Sequence, residues 1–166
     1  MKEIELESIG KLFPHPDIPD EWLISGDVSI PFFGGKSLKF ILVLDLGNEK
    51  EFFTDANEVI KNFLEKDENF RDENSFLVFQ NYAEVVDVLG EDKGSPKIIC
   101  EQEVWQYIYP AEIYVERRYR GDKDVYLYIA CECDWEIEHG LQIVFKRGSK
   151  ITRVSSQDGH LSETDA

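Results

Sequence analysis

The chain has 166 residues, of which 42% are hydrophobic and 31% charged, a composition typical of a globular protein with a sizeable core. Its 34 acidic and 18 basic residues give a net charge of −16, which disfavours binding to nucleic acid or an anionic membrane and favours a basic protein partner. It has neither an apolar run of the roughly 18 residues that a membrane helix needs nor the start of a signal peptide, so we expect one cytoplasmic domain, residues 1–166.

The N-terminal part of the chain is predicted to form β-strands. Pro31 stops the first strand, and the Gly34-Gly35-Lys36 and Gly47-Asn48 sequences indicate turns. The predicted strands are residues 22–30, 38–45 and 51–53.

The middle of the chain is predicted to form two helices. Asp55, as an N-cap with Glu58 at capping-box spacing, indicates that the first helix starts there. Its apolar face is expected to be Ala56, Val59, Ile60, Phe63 and Leu64. The second helix is predicted over residues 73–89 and ends before Gly90. Its apolar face is expected to be Phe76, Val78, Phe79, Tyr82, Val85, Val86 and Leu89, and its polar face Gln80, Glu84, Asp87 and Glu91.

Most of the negative charge lies in this helical middle, because residues 45–103 contain 16 acids and 6 bases. Glu84 and Asp87 are therefore candidate contacts for a basic partner.

The C-terminal part is predicted to form antiparallel β-hairpins after a short helix, residues 101–107, that carries Trp105. The hairpins pair residues 113–119 with 123–133 and residues 141–146 with 150–154, around turns that contain Gly121 and Gly148. The order of elements favours an α+β fold: a mostly antiparallel sheet with N-terminal strands, two central helices packed on one face, and C-terminal β-hairpins.

Residues 131–141 and 158–160 hold the densest set of reactive side chains. Cys131 and Cys133, two residues apart on a strand, combine with His139 and His160 into a possible Cys₂His₂ zinc set. The oxygens of Asp134, Glu136, Glu138 and Asp158 offer an alternative set for calcium. The competing interpretation is that both cysteines are small buried residues at a strand end and that no cofactor is bound.

The same segment supports two further interpretations. In one, Glu136, Glu138, His139 and His160 form the centre of a metal-dependent or acid/base hydrolase, although the chain has no recognised catalytic motif, and we assign no catalytic residue. In the other, which we favour, the protein is not an enzyme and binds a protein partner. The predicted partner contacts are Trp135, Glu136, Glu138 and His139, together with Glu84 and Asp87.

A structural role for the motif is the third interpretation. Asp134 and His139 would bond to nearby backbone, and Asp158 and His160 would close the C-terminal turn. This role leaves open whether the domain binds a partner elsewhere.

The C-terminal third resembles a family of uncharacterised bacterial domains. The resemblance rests on Cys133-Asp134-Trp135-Glu136-x-Glu138-His139-Gly140-Leu141, on Gly148, on Asp158-Gly159-His160-Leu161 and on Asp165-Ala166. Residues 30–33 and Trp105 are also similar. Members look like proteins found near polymorphic toxin genes, so the resemblance implies an immunity-type inhibitor that covers a basic toxin. It implies no catalytic residue.

Overall fold

A mostly antiparallel sheet forms the centre of the computed structural model, which describes residues 3–89 and 94–165. The strands are β1 (Ile4–Leu6), β2 (Gly10–Pro14), β3 (Trp22–Ser25), β4 (Val28–Ile30), β5 (Lys36–Leu38), β6 (Phe40–Val43), β7 (Ile108–Arg117), β8 (Val125–Cys133), β9 (Leu141–Lys146) and β10 (Lys150–Ser155). Eight of them form one sheet in the order β1-β2-β3-β6-β7-β8-β9-β10, and β4 pairs with β5. Within the described residues β6 and β7 pair in parallel and the other neighbours pair antiparallel.

Three α-helices accompany the sheet: α1 (Glu49–Leu64), α2 (Glu68–Glu73) and α3 (Ser75–Leu89). Short 3₁₀ helices span Pro31–Phe33, Glu101–Tyr107 and Glu163–Asp165, and the second of these confirms the predicted short helix around Trp105. The predicted α+β class and the C-terminal hairpins are therefore confirmed. No helix in the described part of the chain combines the length and the apolar character needed to cross a membrane.

The strand predicted at residues 51–53 is wrong, because these residues lie in α1. The apolar face of α1 begins with Phe52, which is fully buried and lies four residues before Ala56. Asp55 is consequently inside the helix, and its carboxylate accepts a hydrogen bond from Arg117 instead of capping the helix. The N-cap position is Asn48.

The two long strands predicted in the N-terminal part are each divided in two, at the points where the chain passes from one sheet to the other. Residues 22–30 divide into β3 and β4 after Ser25, whose Oγ accepts a hydrogen bond from the backbone N–H of Phe40. Residues 38–45 divide at Lys39, because β5 pairs with β4 whereas β6 pairs with β3.

The second predicted helix corresponds to α3, whereas α2, which precedes it and ends at Glu73, was not predicted. Asp67 caps α2 by accepting a hydrogen bond from the N–H of Phe70. Phe76 is half exposed, contrary to its predicted place on the apolar face, while Val78 and Tyr82 are buried. The predicted cap at Gly90 and the side chains of Leu89 and Glu91 lie outside the described residues.

The helices and the sheet enclose a large aromatic and aliphatic core on one face. Phe63 and Phe145 are fully buried there, with ring centroids 5.2 Å apart, and each such side chain contributes roughly 1.5–3 kcal/mol by burial. On the opposite face, residues 156–165 cross β8 and β9, and Leu161 packs against Tyr126 and Val144. The sheet is thus covered on both faces near β10.

Candidate functional site

Trp135 is part of the core and not an exposed partner contact as predicted. Only 2% of the residue is accessible, and its Nε1–H donates a 3.0 Å hydrogen bond to Oδ1 of Asn81 on α3. Its ring meets Tyr82 edge-on at 5.6 Å. The turn after β8 places the indole beneath α3, where both its apolar area and its N–H find partners.

The predicted metal set is not brought together. Strand alternation places Cys131 and Cys133 on the core-facing side of β8, where burial raises the pKa of both thiols, that of Cys133 to about 11. His139 and His160 lie on turns outside this core. Among the described residues, no three His, Cys, Asp or Glu side chains are placed to hold a metal ion, so the calcium alternative also lacks a site.

Glu136 and His139 form a closed turn. Oε1 of Glu136 lies 2.8 Å from Nδ1 of His139 and also accepts a hydrogen bond from the backbone N–H of that residue. The N–H of Gly140 donates to the carbonyl oxygen of Glu136. Gly140 has a φ of +64°, and a Cβ there would stand 2.7 Å from the carbonyl oxygen of Cys131. The glycine of the motif is therefore required by the close approach of the chain to β8.

Asp158 closes the C-terminal turn, as the structural interpretation predicted. Its Oδ1 accepts hydrogen bonds from the N–H of His160 and from Nε2 of Gln142, and its Oδ2 accepts one from Arg153. Asp134 differs from the prediction, because it accepts its bond from the hydroxyl of Tyr109 and not from backbone.

The residues of the predicted hydrolase centre are brought together only in part. Glu136, Glu138 and His139 line one pocket beside the motif turn, and Glu136 and His139 also line a second pocket against α3. His160 lines a third pocket with Arg118 and Asp165. His160 is therefore separated from the other three side chains, and the predicted set of four does not meet around one reacting atom.

Three of the predicted partner contacts do meet. Glu84 from α3 lines the same pocket of about 390 Å³ as Glu136 and His139 from the motif. Asp87, three residues further along α3, is exposed but does not line this pocket. The acidic middle of the chain and the C-terminal motif are thus joined at one place, although they are far apart in sequence.

This pocket continues along β10 into a second one of about 300 Å³. The two share Asn81, Glu84, Arg153, Val154 and Glu163, so they form one continuous depression between α3 and β10. We call it the α3–β10 trench and define it by Asn81, Glu84, Glu136, His139, Arg153 and Glu163.

Arg153 is a trench residue whose burial the sequence does not indicate. A bulge at Thr152 shifts the alternation of β10, so Arg153 pairs with Val144 and is only 6% exposed. Its two terminal nitrogens bond Asp158 and Glu163, while no described atom accepts a hydrogen bond from its buried Nε. Among the described residues that define the trench, three glutamates accompany one arginine, so the carboxylates exceed the positive charge of Arg153.

A second charged cluster supports the fold and not the trench. Arg117 donates from Nε to Asp45 at 3.0 Å and from Nη2 to Asp55 at 2.6 Å, which fixes α1 to the end of β7. The hydroxyl of Tyr119 also donates to Asp45. This network satisfies both oxygens of the buried Asp45 carboxylate.

The fold and the trench together define a class: an α+β domain with an acidic depression along the end of its sheet. The chain belongs to the family described as Domain of unknown function (DUF6985), whose model matches residues 8–161. No curated protein and no solved structure matches the chain. The matched range contains residues 133–141 and 158–161 of the motif but not residues 165–166, and the description of the family assigns it no activity.

Proposed function

We propose that this chain is a cytoplasmic binding protein that holds a basic protein partner in the α3–β10 trench. The observation that carries the proposal is the convergence of Glu84, Glu136 and Glu163 on one depression. Arg153, the one lysine or arginine among its described lining residues, is already bonded to Glu163 and Asp158. A cationic surface is the chemistry that complements these carboxylates.

An apolar contact lies beside the acidic ones. Ile137 is 79% exposed, and it lines the neighbouring pocket together with Glu136 and Glu138. An aliphatic side chain ringed by carboxylates matches the usual arrangement of a protein interface, in which a small apolar centre carries affinity and a charged rim carries specificity. The motif turn therefore supplies both kinds of contact.

The net charge of −16 supports the same proposal through association kinetics. A strongly negative protein attracts a basic partner from a distance and accelerates encounter, and salt weakens this attraction. Nucleic acid and anionic membranes are repelled by the same field.

The finer version of the proposal is an immunity-type inhibitor. In it the partner is a basic toxin, and the trench side of this protein covers a cationic active site that would otherwise hold a substrate phosphate. The resemblance of the C-terminal motif to domains found near toxin genes favours this version over a housekeeping adaptor.

Affinity capture from the native host tests the proposal with a charge-reversed trench. Wild-type protein, Glu84→Lys/Glu136→Lys and the control Glu5→Lys/Glu51→Lys would be compared at low salt, since the control makes the same change in net charge on exposed residues of β1 and α1. We expect the wild type and the control to retain one basic protein that the trench variant loses. Equal retention by both variants, or no basic protein with the wild type, would contradict the proposal.

A further inference from the structure

We propose that the outer edge of β10 receives an extended basic segment of the partner as an added β-strand. This inference rests on the proposed function, and it specifies how the trench would recognise its partner. It is carried by the unpaired edge of β10, by the shape of the trench and by the unsatisfied Nε–H of Arg153.

The edge of β10 is unpaired. This strand is the last in the sheet order and bonds to β9 on its inner side. Among the described residues, no backbone hydrogen bond joins residues 150–155 to any other segment. A free row of backbone N–H and C=O groups is a template for one more strand.

The trench has the form that an added strand requires. Leu77, Gln80 and Glu84 of α3 border β10 on one side, and Glu163 of the C-terminal segment borders it on the other. Successive side chains of an extended segment point to opposite faces. Those on the α3 side would meet Leu77 and Glu84, and those on the other side would meet Glu163.

The unsatisfied Nε–H of Arg153 indicates that the added strand supplies a backbone acceptor. Arg153 lines the shared part of the trench, and its buried Nε has no hydrogen-bond partner in the described residues. Nη1 and Nη2 are engaged by carboxylates, so the guanidinium is held in place with one donor left over. A carbonyl oxygen of the added strand would satisfy this donor.

Arg153 also makes the edge of β10 selective for the segment that pairs with it. The bulge at Thr152 and the charge of Arg153 are features that protect edge strands from indiscriminate pairing. A segment must therefore supply basic side chains to the carboxylates and an acceptor to Nε at the correct register. We identify the occupant as an extended segment in which basic and aliphatic residues alternate.

Fluorescence anisotropy with designed peptides tests the inference on the wild-type chain. The probe is a fluorescein-labelled octapeptide of alternating lysine and valine, compared at low salt with the same peptide N-methylated at alternate backbone nitrogens and with a block peptide of four lysines and four valines. We expect the alternating peptide to bind at least about tenfold more tightly than either control. Arg153→Lys should remove this advantage, whereas the matched variant Arg147→Lys should keep it.

Nuclear magnetic resonance gives a readout that does not depend on a variant. The Nε–H signal of Arg153 should shift and become protected from solvent exchange when the alternating peptide is added, and not with the N-methylated one. An unchanged signal at saturation would overturn the inference.

The outcomes separate the inference from the proposed function. If the three peptides bind equally and Glu84→Lys/Glu136→Lys abolishes binding, strand addition is wrong and the acidic trench stands. If no peptide binds while the wild type still captures a basic protein through the trench, strand addition is again wrong and the proposed function stands. If capture fails as well, both are wrong.

Discussion

The indole Nε1–H of Trp135 donates a 3.0 Å hydrogen bond to Oδ1 of Asn81, a residue 54 positions earlier in the chain. Asn81 lines the trench, and Glu136 follows Trp135 directly. This bond therefore joins the motif turn, which carries Glu136 and His139, to α3, which carries Glu84. The tryptophan of the motif therefore has a structural role beneath the site.

Substitution of Trp135 should destabilise the protein strongly. Trp135→Ala removes a large buried ring and should lower the free energy of unfolding by about 3–5 kcal/mol. Trp135→Phe also leaves Asn81 without its donor and should cost about 1–3 kcal/mol. Urea denaturation followed by circular dichroism measures both values. The control Ile137→Ala, at an exposed position two residues away, should stay within about 0.5 kcal/mol of the wild type.

Local sequence signals predicted the C-terminal half of the fold well. The two hairpins are specified by strand alternation and by glycine-containing turns that need few distant contacts. The N-terminal half was predicted less well, because Phe52 and Phe53 favour a strand locally and are helical through packing against the sheet. The break between β5 and β6 also depends on which distant strand each one pairs with.

The cysteines should differ sharply in reactivity. Cys100 is exposed, whereas Cys131 and Cys133 are buried, and burial raises the pKa of both buried thiols. A disulfide-exchange reagent at neutral pH should modify one thiol rapidly in the native protein and three after denaturation in urea. Cys100→Ser should remove the rapid phase. Two fast thiols in that variant would contradict the core placement of β8.

The candidate site could be predicted only in part. Composition and the motif singled out Glu84, Glu136 and His139, which do share one pocket. Their meeting could not be foreseen, because it depends on how α3 crosses the end of the sheet. The place of Glu163 could not be foreseen either, because it depends on an ion pair with Arg153 of β10. Sequence alternation also failed at Arg153, since the bulge at Thr152 changes the face on which it lies.

Glu116 should make the stability of the protein depend on pH. It lies on the helix-free face of β7, and burial raises its pKa from 4.5 to about 7. Because the folded-state pKa exceeds the unfolded one, the contribution of Glu116 to stability is fully present below about pH 4.5 and is lost as pH rises through about 7.

Glu116→Gln should remove this dependence. At about pH 8 the variant should be more stable than the wild type by up to about 3 kcal/mol, because one unit of pKa corresponds to about 1.4 kcal/mol. The two proteins should differ little near pH 4, where the carboxyl is protonated in both folded and unfolded states. Urea titrations at both pH values measure the difference. A variant that is equally or less stable at pH 8 would contradict the assigned burial.

Gly148, in the turn between β9 and β10, should not tolerate even alanine. Its φ is +74°, and a Cβ there would stand 2.0 Å from the carbonyl oxygen of Val59, so α1 and the hairpin would have to separate. We expect Gly148→Ala to cost more than about 3 kcal/mol of unfolding free energy. The matched variant Gly159→Ala has nearly the same φ, +76°, with nothing within 4 Å of the added Cβ. It should lower the free energy of unfolding by only about 1–2 kcal/mol, because alanine is less stable than glycine in the left-handed conformation. Equal losses in the two variants, measured by thermal or urea denaturation, would show that α1 does not pack against this turn as described.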